Sequence, residues 1–441
     1  MQELDLSIKI LNQVLDDHLP FSEALRLTFQ STPELRPMRA NVSGLLGCEL
    51  RHHLLFTYLL KEIDLAEEEK RIASLGLAND YFFRHYERDV MDEAIKEKLG
   101  EEKFALLSPL YEKVGNPDSY IPESISRSSN LYLSLRYNAP EWVLKIFQHF
   151  GFGNTYRTLK KFSRPASSVL RVKGGVSLDE VTANPEFSPR SDFADLVDYH
   201  GKTSLRRNEL VRAEKLFEIK PFAKKVLDEY AVNPPKEILL YNGSDSCFLE
   251  LELIEKYGES IGMNIAVPDL AKKAPVLRAI QKKGLHNVNL FAAPNGETLT
   301  SAVSRPAELV LVAPRSTSFD DIPSAPDFFL QFDKDEMDKI IEGEAASLEN
   351  AAPFVEEGGK LLYLVFTISK KEGHMTIAKF LQAHPEFKLL EEKQHFPFEE
   401  PGNAAFLAVF EKKEKELTIA PNAPLVAEAP ASAPISSAAA E

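Results

Sequence analysis

Ile238-Leu239-Leu240-Tyr241, then Phe248 to Tyr257, then Asn264-Ile265-Ala266-Val267 is the stretch on which the fold turns. A short unbroken apolar run, a segment of helical length and a second apolar run make one strand–helix–strand unit. Strands that are apolar on both faces are covered on both sides, which is the signature of a parallel sheet wrapped by helices. The alternation continues through Val288 to Phe291, Leu309 to Ala313 and Leu361 to Phe366, with helical stretches such as Ala271 to Lys283 between most of them. Phe387 to Leu390 and Ala405 to Phe410 are joined by a longer loop and are expected to pair antiparallel. A doubly wound domain over 206–413 follows. From 414 to 441 the chain is rich in Ala and Pro and lacks aromatics, so a disordered tail is expected.

Upstream the period changes to that of helices. Leu4, Ile8, Leu11 and Leu15 recur at helical spacing, with Val14 widening the stripe. Ser22 is positioned to cap a helix carrying Leu25 and Phe29. One long helix is expected from about Arg39 to Ile63, then others over Ile72 to Tyr86, Val90 to Leu99 and Glu102 to Tyr111, before Asn116-Pro117-Asp118 breaks the pattern. Residues 1–135 read as a helical bundle. Residues 136–205 read as a small α+β module: a helix over Glu141 to Phe150 with Trp142, Ile146 and Phe150 inward, a strand over Ser168 to Val172, and a capping box from Ser177 to Glu180. The fold class is multidomain, α followed by α/β.

Composition narrows the function. The chain has 441 residues and a net charge of −15, which argues against coating nucleic acid by bulk charge. A local strip runs the other way: Arg157, Lys160, Lys161, Arg164, Arg171 and Lys173 follow one another without an acid between them. A solvated helix face explains such a strip as readily as a binding surface does. No apolar run approaches the ~18 residues that span a bilayer, so no membrane association is expected. Two cysteines, Cys48 and Cys247, are too few for a disulfide framework, and a cytoplasmic protein is expected. No histidine pair has metal-ligand context, so no metal is expected.

Four stretches together resemble the RsmB/Sun-type rRNA cytosine-5 methyltransferases. Gly47-Cys48-Glu49-Leu50-Arg51 resembles the G-x-x-R helix of their NusB-like domain. Asn138-Ala139-Pro140-Glu141-Trp142 with Leu170-Arg171-Val172 resembles S-x-P-x-W … L-R-V-N. Val312-Ala313-Pro314-Arg315-Ser316 stands where they have D-A-P-C-S, and Pro353, Gly358-Gly359 and Leu362-Tyr363 resemble P-x-L-x-x-G-G-x-L-V-Y-x-T-C-S. The resemblance implies a NusB-like RNA-binding bundle, a Rossmann-like methyltransferase sheet, S-adenosylmethionine as cofactor and rRNA as partner.

It also implies chemistry that these residues do not supply. Carbon 5 of cytosine is a poor nucleophile until a thiolate adds to carbon 6. The position of that thiolate aligns with Arg315, and that of the second family cysteine with Phe366. The family loop D-x-C-A-A-P-G-G-K-T reads Leu240-Tyr241-Asn242-Gly243-Ser244-Asp245-Ser246-Cys247-Phe248-Leu249. Gly243 permits a tight turn there, Asp245 or Ser246 is placed to cap the next helix, and Ser244 lies between. Asp269 is near the family's ribose-binding acid, although Val267 occupies the aligned position. Lys220-Pro221 replaces the family's Q-D, and Val312 its D-A-P-C-S acid. Loss of a nucleophile on which an enzyme depends costs on the order of a million-fold in rate.

Three readings follow. The first is a catalytically silent relative that retains an RNA-binding surface built from the basic strip, Arg206-Arg207 and Arg51-His52-His53. The second is a methyltransferase with altered motifs that still uses Gly243, Ser244, Asp245 and Asp269. The third is a protein-interaction scaffold.

Overall fold

The computed structural model describes residues 1–111, 120–201, 205–230 and 235–414. The expected tail beyond Glu414 and the Asn116-Pro117-Asp118 break therefore lie outside the described residues, as does the side chain of Arg206.

The large sheet has seven strands: β5 Glu237–Asn242, β6 Gly262–Val267, β7 Val288–Ala292, β8 Ala307–Ala313, β9 Val355–Val365, β10 Phe387–His395 and β11 Ala405–Lys412. Their order is β10-β11-β9-β8-β5-β6-β7. The five strands from β9 to β7 are parallel, and β11 runs antiparallel to both β9 and β10. Alternate residues feed two cores: Ile238 and Leu240 point to one face, Leu239 and Tyr241 to the other. Period-two geometry makes that division unavoidable. Strand order reverses between β5 and β8, so the C-terminal ends of these strands border the switch-point crevice where such folds take ligands.

A second, four-stranded antiparallel sheet has the order β2-β3-β1-β4, built from β1 Ser168–Val172, β2 Phe187–Pro189, β3 Leu196–Tyr199 and β4 Leu216–Glu218. The helices over Asn130–Tyr137, Glu141–Gln148 and Phe152–Phe162 precede it but pack in one core with the N-terminal helices. That core also takes in Phe319, Ile322, Ile368 and Phe396 from the large-sheet domain.

Several local expectations are corrected. The single helix from Arg39 is two, Arg39–Arg51 and His53–Leu60, interrupted at His52. The Asn138 side chain causes no vacancy there: it donates to Leu50 O and accepts from Leu54 N, each at 2.9 Å, replacing the lost helical bonds. The helix from Glu67 ends at Ala78 and closes in a π-turn over Asn79–Phe83. Ser22 caps nothing. The helix is Phe21–Ser31, and Asp327 Oδ2, 306 residues away, accepts from Phe21 N at 2.8 Å. Ser177 is the N-cap of Leu178–Thr182 without a side-chain capping bond. In Glu141–Gln148 the buried face is Val143, Leu144 and Phe147. Trp142, Ile146 and Phe150 are half-buried and pack against the same core as expected, Trp142 stacking on Phe332 after β8 at 5.3 Å and 19°.

Candidate functional site

A cleft of about 1810 Å³ opens at the C-terminal ends of the parallel strands. The loop after β5, the start of the helix after β6 and the segments after β8 and β9 wall it, and β1 and β4 of the small sheet close its far side. Gly243, Ser244, Asp245, Arg315 and Phe366 all line it, as do Cys247, Lys220 and Lys173. Asp269 is exposed beside it, and its side chain accepts from Ala271 N at 2.9 Å, capping the 3-10 turn over Leu270–Lys273.

The loop after β5 is bonded to the end of β8 and to itself. Gly243 N donates to Ala313 O at 2.9 Å, Ser244 N to Asn242 Oδ1 at 2.9 Å and Ser246 N to Ser244 Oγ at 3.2 Å. A Cβ at Gly243 would stand 2.6 Å from Arg315 N, so this glycine serves the contact between two loops of the chain. Beneath them, Lys273 Nζ donates to Ser244 O at 2.8 Å, also to Ser246 O, and pairs with Glu250 Oε1 at 2.6 Å. Glu250 Oε1 accepts as well from Asn242 Nδ2 at 2.8 Å. Neither Asp245 nor Ser246 caps the following helix; its N-cap is Cys247, without a side-chain bond. Asp245 pairs with Lys272 at 2.7 Å. The Gly243, Ser244 and Ser246 amides and the Ser244 and Ser246 carbonyls are thus engaged by the chain itself, the two carbonyls on a buried ammonium.

On the opposite wall Arg315 is 73% exposed, 3.5 Å from Glu336. Phe366 meets Phe248 edge to face at 5.6 Å, and Lys220 Nζ lies 4.3 Å from its ring centre. Burial opposes the Lys220 charge, but Asp320 and Asp321, each at 2.9 Å, outweigh it and hold the ammonium above its ordinary pKa. Cys247 is the thiol within the cleft wall. Burial raises its pKa against the pull of Lys273, so it is held protonated at neutral pH. Cys48 is raised likewise by burial.

Behind the loops after β8 and β9 lies a network that sequence reading missed. Fully buried Glu372 accepts from Thr317 N at 2.7 Å, Thr317 Oγ1 at 2.7 Å and Thr367 Oγ1 at 2.6 Å. Buried Glu344 is pushed up to about 11, first by burial and then by the charge of Glu372. No signal marks either acid as core: each sits in a stretch with other charged residues.

The basic residues separate into two sets. Arg51 donates to Pro323 O at 2.8 Å, and His52, stacked on Phe82 at 3.5 Å, is lowered to about 4 chiefly by burial, so neither presents a free cation. Arg171 pairs with Asp195 at 3.0 Å and Glu252 at 3.1 Å, and Lys173 is half-buried over Phe217. Arg157, Lys160, Lys161 and Arg164 remain on an exposed surface.

The sheet order, the antiparallel edge pair and the crevice define a Rossmann-like methyltransferase fold. Solved structures share it: PH0851 superposes with a TM-score of 0.69 at 18% identity over 93% of this chain and 98% of that one. NSun6 from Pyrococcus horikoshii with SFG gives 0.52 at 11% identity, covering 62% and 98%, and a methyltransferase homolog protein from Pyrococcus horikoshii gives 0.52 at 13%, covering 65% and 100%. In sequence, 92 residues are 30% identical to ribosomal RNA small subunit methyltransferase B of Thermus thermophilus, which is 21% of this chain and 23% of that relative. The chain thus matches under a quarter of its curated relative's length. No family profile matches. The solved structures share the fold, and the resemblance to the curated relative is confined to those 92 residues. Among the described residues no helix is long and apolar enough to cross a membrane, and no group of three His, Cys, Asp or Glu is arranged to hold a metal ion.

Proposed function

We propose that this chain is an RNA-binding relative of the rRNA cytosine-5 methyltransferases that does not itself transfer a methyl group. One observation carries the reading: Lys273, through Glu250, Ser244 and Ser246, occupies the underside of the loop on which the family places its cofactor. The residues at the family's thiol positions reinforce it. A guanidinium at Arg315 and a phenyl ring at Phe366 form no thioether with a pyrimidine. The basic surface from Arg157 to Arg164 supplies the charge for association with rRNA, and the N-terminal helices are read as the NusB-like unit that the sequence resemblance implies. The units 1–135, 136–205 and 206–413 and a cytoplasmic location belong to the same reading.

Calorimetric titration of the full chain with S-adenosylmethionine tests it. The expected result is no heat of binding, together with association of rRNA fragments that weakens steeply as salt rises. Saturable cofactor binding, with labelled methyl appearing in the RNA, would overturn it. The second reading, a transferase with altered chemistry, is favoured by the thiol of Cys247 in the cleft wall. It requires methyl incorporation that disappears in Cys247→Ser.

A further inference from the structure

The helix over Phe152–Phe162 buries Thr155, Thr158, Leu159 and Phe162 and turns its other side to solvent. On that side Phe152 is 50% and Tyr156 39% exposed, one turn apart. Their ring centroids are 6.5 Å apart and their planes 22° from parallel. Tyr137, edge to face with Tyr156 at 5.9 Å, fixes the second ring. At 100° per residue Lys160 comes next around the helix, then Arg157 and Lys161, and Arg164 follows the last turn. Arg157 lies 3.8 Å over the Phe398 ring, and among the described residues none of the four cations is ion-paired.

Neither half of this surface explains the other. A solvated helix face accounts for the charges but not for two large rings held in water. An apolar protein-docking face accounts for the rings but leaves four cations uncompensated. Unpaired nucleic acid satisfies both, because phosphates meet the cations while every base offers a π-face to an aromatic ring. A duplex cannot do this, since its bases are already stacked on one another. The surface also leads somewhere. Two residues after Arg164 the chain reaches Ala166, and Ala166 to Val169 line the cleft. The loop carrying Phe398 likewise continues to Asn403 in the cleft wall.

The geometry points to a site for an unpaired RNA segment on this helix, with bases stacked on Phe152 and Tyr156 and phosphates on Arg157, Lys160, Lys161 and Arg164. The site rests on the RNA-association reading above and adds to it strand state, two stacking residues and a direction toward the cleft.

Fluorescence anisotropy of the full chain decides it, using a short unstructured oligoribonucleotide, the perfect duplex of the same length and poly-glutamate. The single strand is expected to bind tighter than the duplex, with a log–log salt slope near −3, about −0.7 for each of four phosphates. Phe152→Leu with Tyr156→Leu, judged folded by an unchanged Tm, should weaken single-strand binding roughly 5- to 150-fold per lost stack and leave the slope intact. Lys160→Gln with Lys161→Gln should flatten the slope instead. Undiminished single-strand binding by the leucine variant would sink the stacking site while RNA association stood. No binding of either RNA at low salt would sink both. Tighter binding of poly-glutamate than of RNA, lost in the same variants, would overturn the site in favour of an acidic protein partner.

Discussion

Lys273 Nζ lies 2.6 Å from Glu250 Oε1, and the two side chains are 1% and 0% exposed. A buried ion pair of this kind is weak evidence for stability, because desolvation offsets most of the attraction. Its consequence is geometric: it holds the Ser244 and Ser246 carbonyls of the loop after β5 on the Lys273 ammonium.

Breaking that pair from one side leaves a charge stranded. Lys273→Met is expected to cost about 3–5 kcal/mol in chemical denaturation, since Glu250 is left buried without its cation. Adding Glu250→Leu should recover most of the loss. A single variant as stable as the wild type would show that the loop is not held by the pair.

Glu344 makes stability depend on pH in a direction opposite to that of an ordinary surface acid. Its carboxyl is raised to about 11 in the folded chain, so above the unfolded value near 4.5 the native state retains a proton that the unfolded chain releases. Stability is therefore lost as pH rises, by about 1.4 kcal/mol per pH unit from this group. Glu344→Gln removes the dependence and is expected to gain on the order of 3 kcal/mol at pH 7 while matching the wild type at pH 4. Parallel stability–pH curves for the two proteins would refute the assignment.

Cys247 should behave as an inert thiol despite facing the cleft. Burial holds its pKa above the ordinary value, and the thiolate is the reactive species. Alkylation followed by mass spectrometry should be slower than for free cysteine at pH 7 and accelerate as pH rises past 9. Rapid labelling at neutral pH would favour the transferase reading.

The cap from Asp327 to Phe21 joins segments 306 residues apart in the chain. Asp327→Ala is expected to lower stability by about 1–2 kcal/mol, and Asp327→Asn, which keeps an acceptor, by less. The same change should speed amide exchange in the first turn of Phe21–Ser31. Equal losses for alanine and asparagine would place the effect in packing rather than in the hydrogen bond.

Much of this protein was legible before any coordinates. Apolar runs separated by helical lengths specify a covered parallel sheet, and Ser168 to Val172, Phe248 to Tyr257 and the strands of the large sheet lie where those patterns place them, because burial on a pleated or helical surface is a local, periodic demand. The expectation that Arg315 and Phe366 stand at the family's cysteine positions also comes from the sequence, since chemical identity requires no structure.

What only the tertiary structure decided involves partners far apart in sequence. The break at His52 exists because Asn138 supplies the missing hydrogen bonds, and the cap on Phe21 comes from Asp327 rather than Ser22. Arg51 and Arg171 are consumed by Pro323, Asp195 and Glu252, whereas Arg157, Lys160, Lys161 and Arg164 are left to solvent, a division that six similar cations in a sequence cannot reveal. The meaning of Lys273 likewise depends on Glu250 and on the carbonyls of Ser244 and Ser246. Periodicity records which side of an element faces inward; it carries no record of which distant group a buried charge must find once it is there.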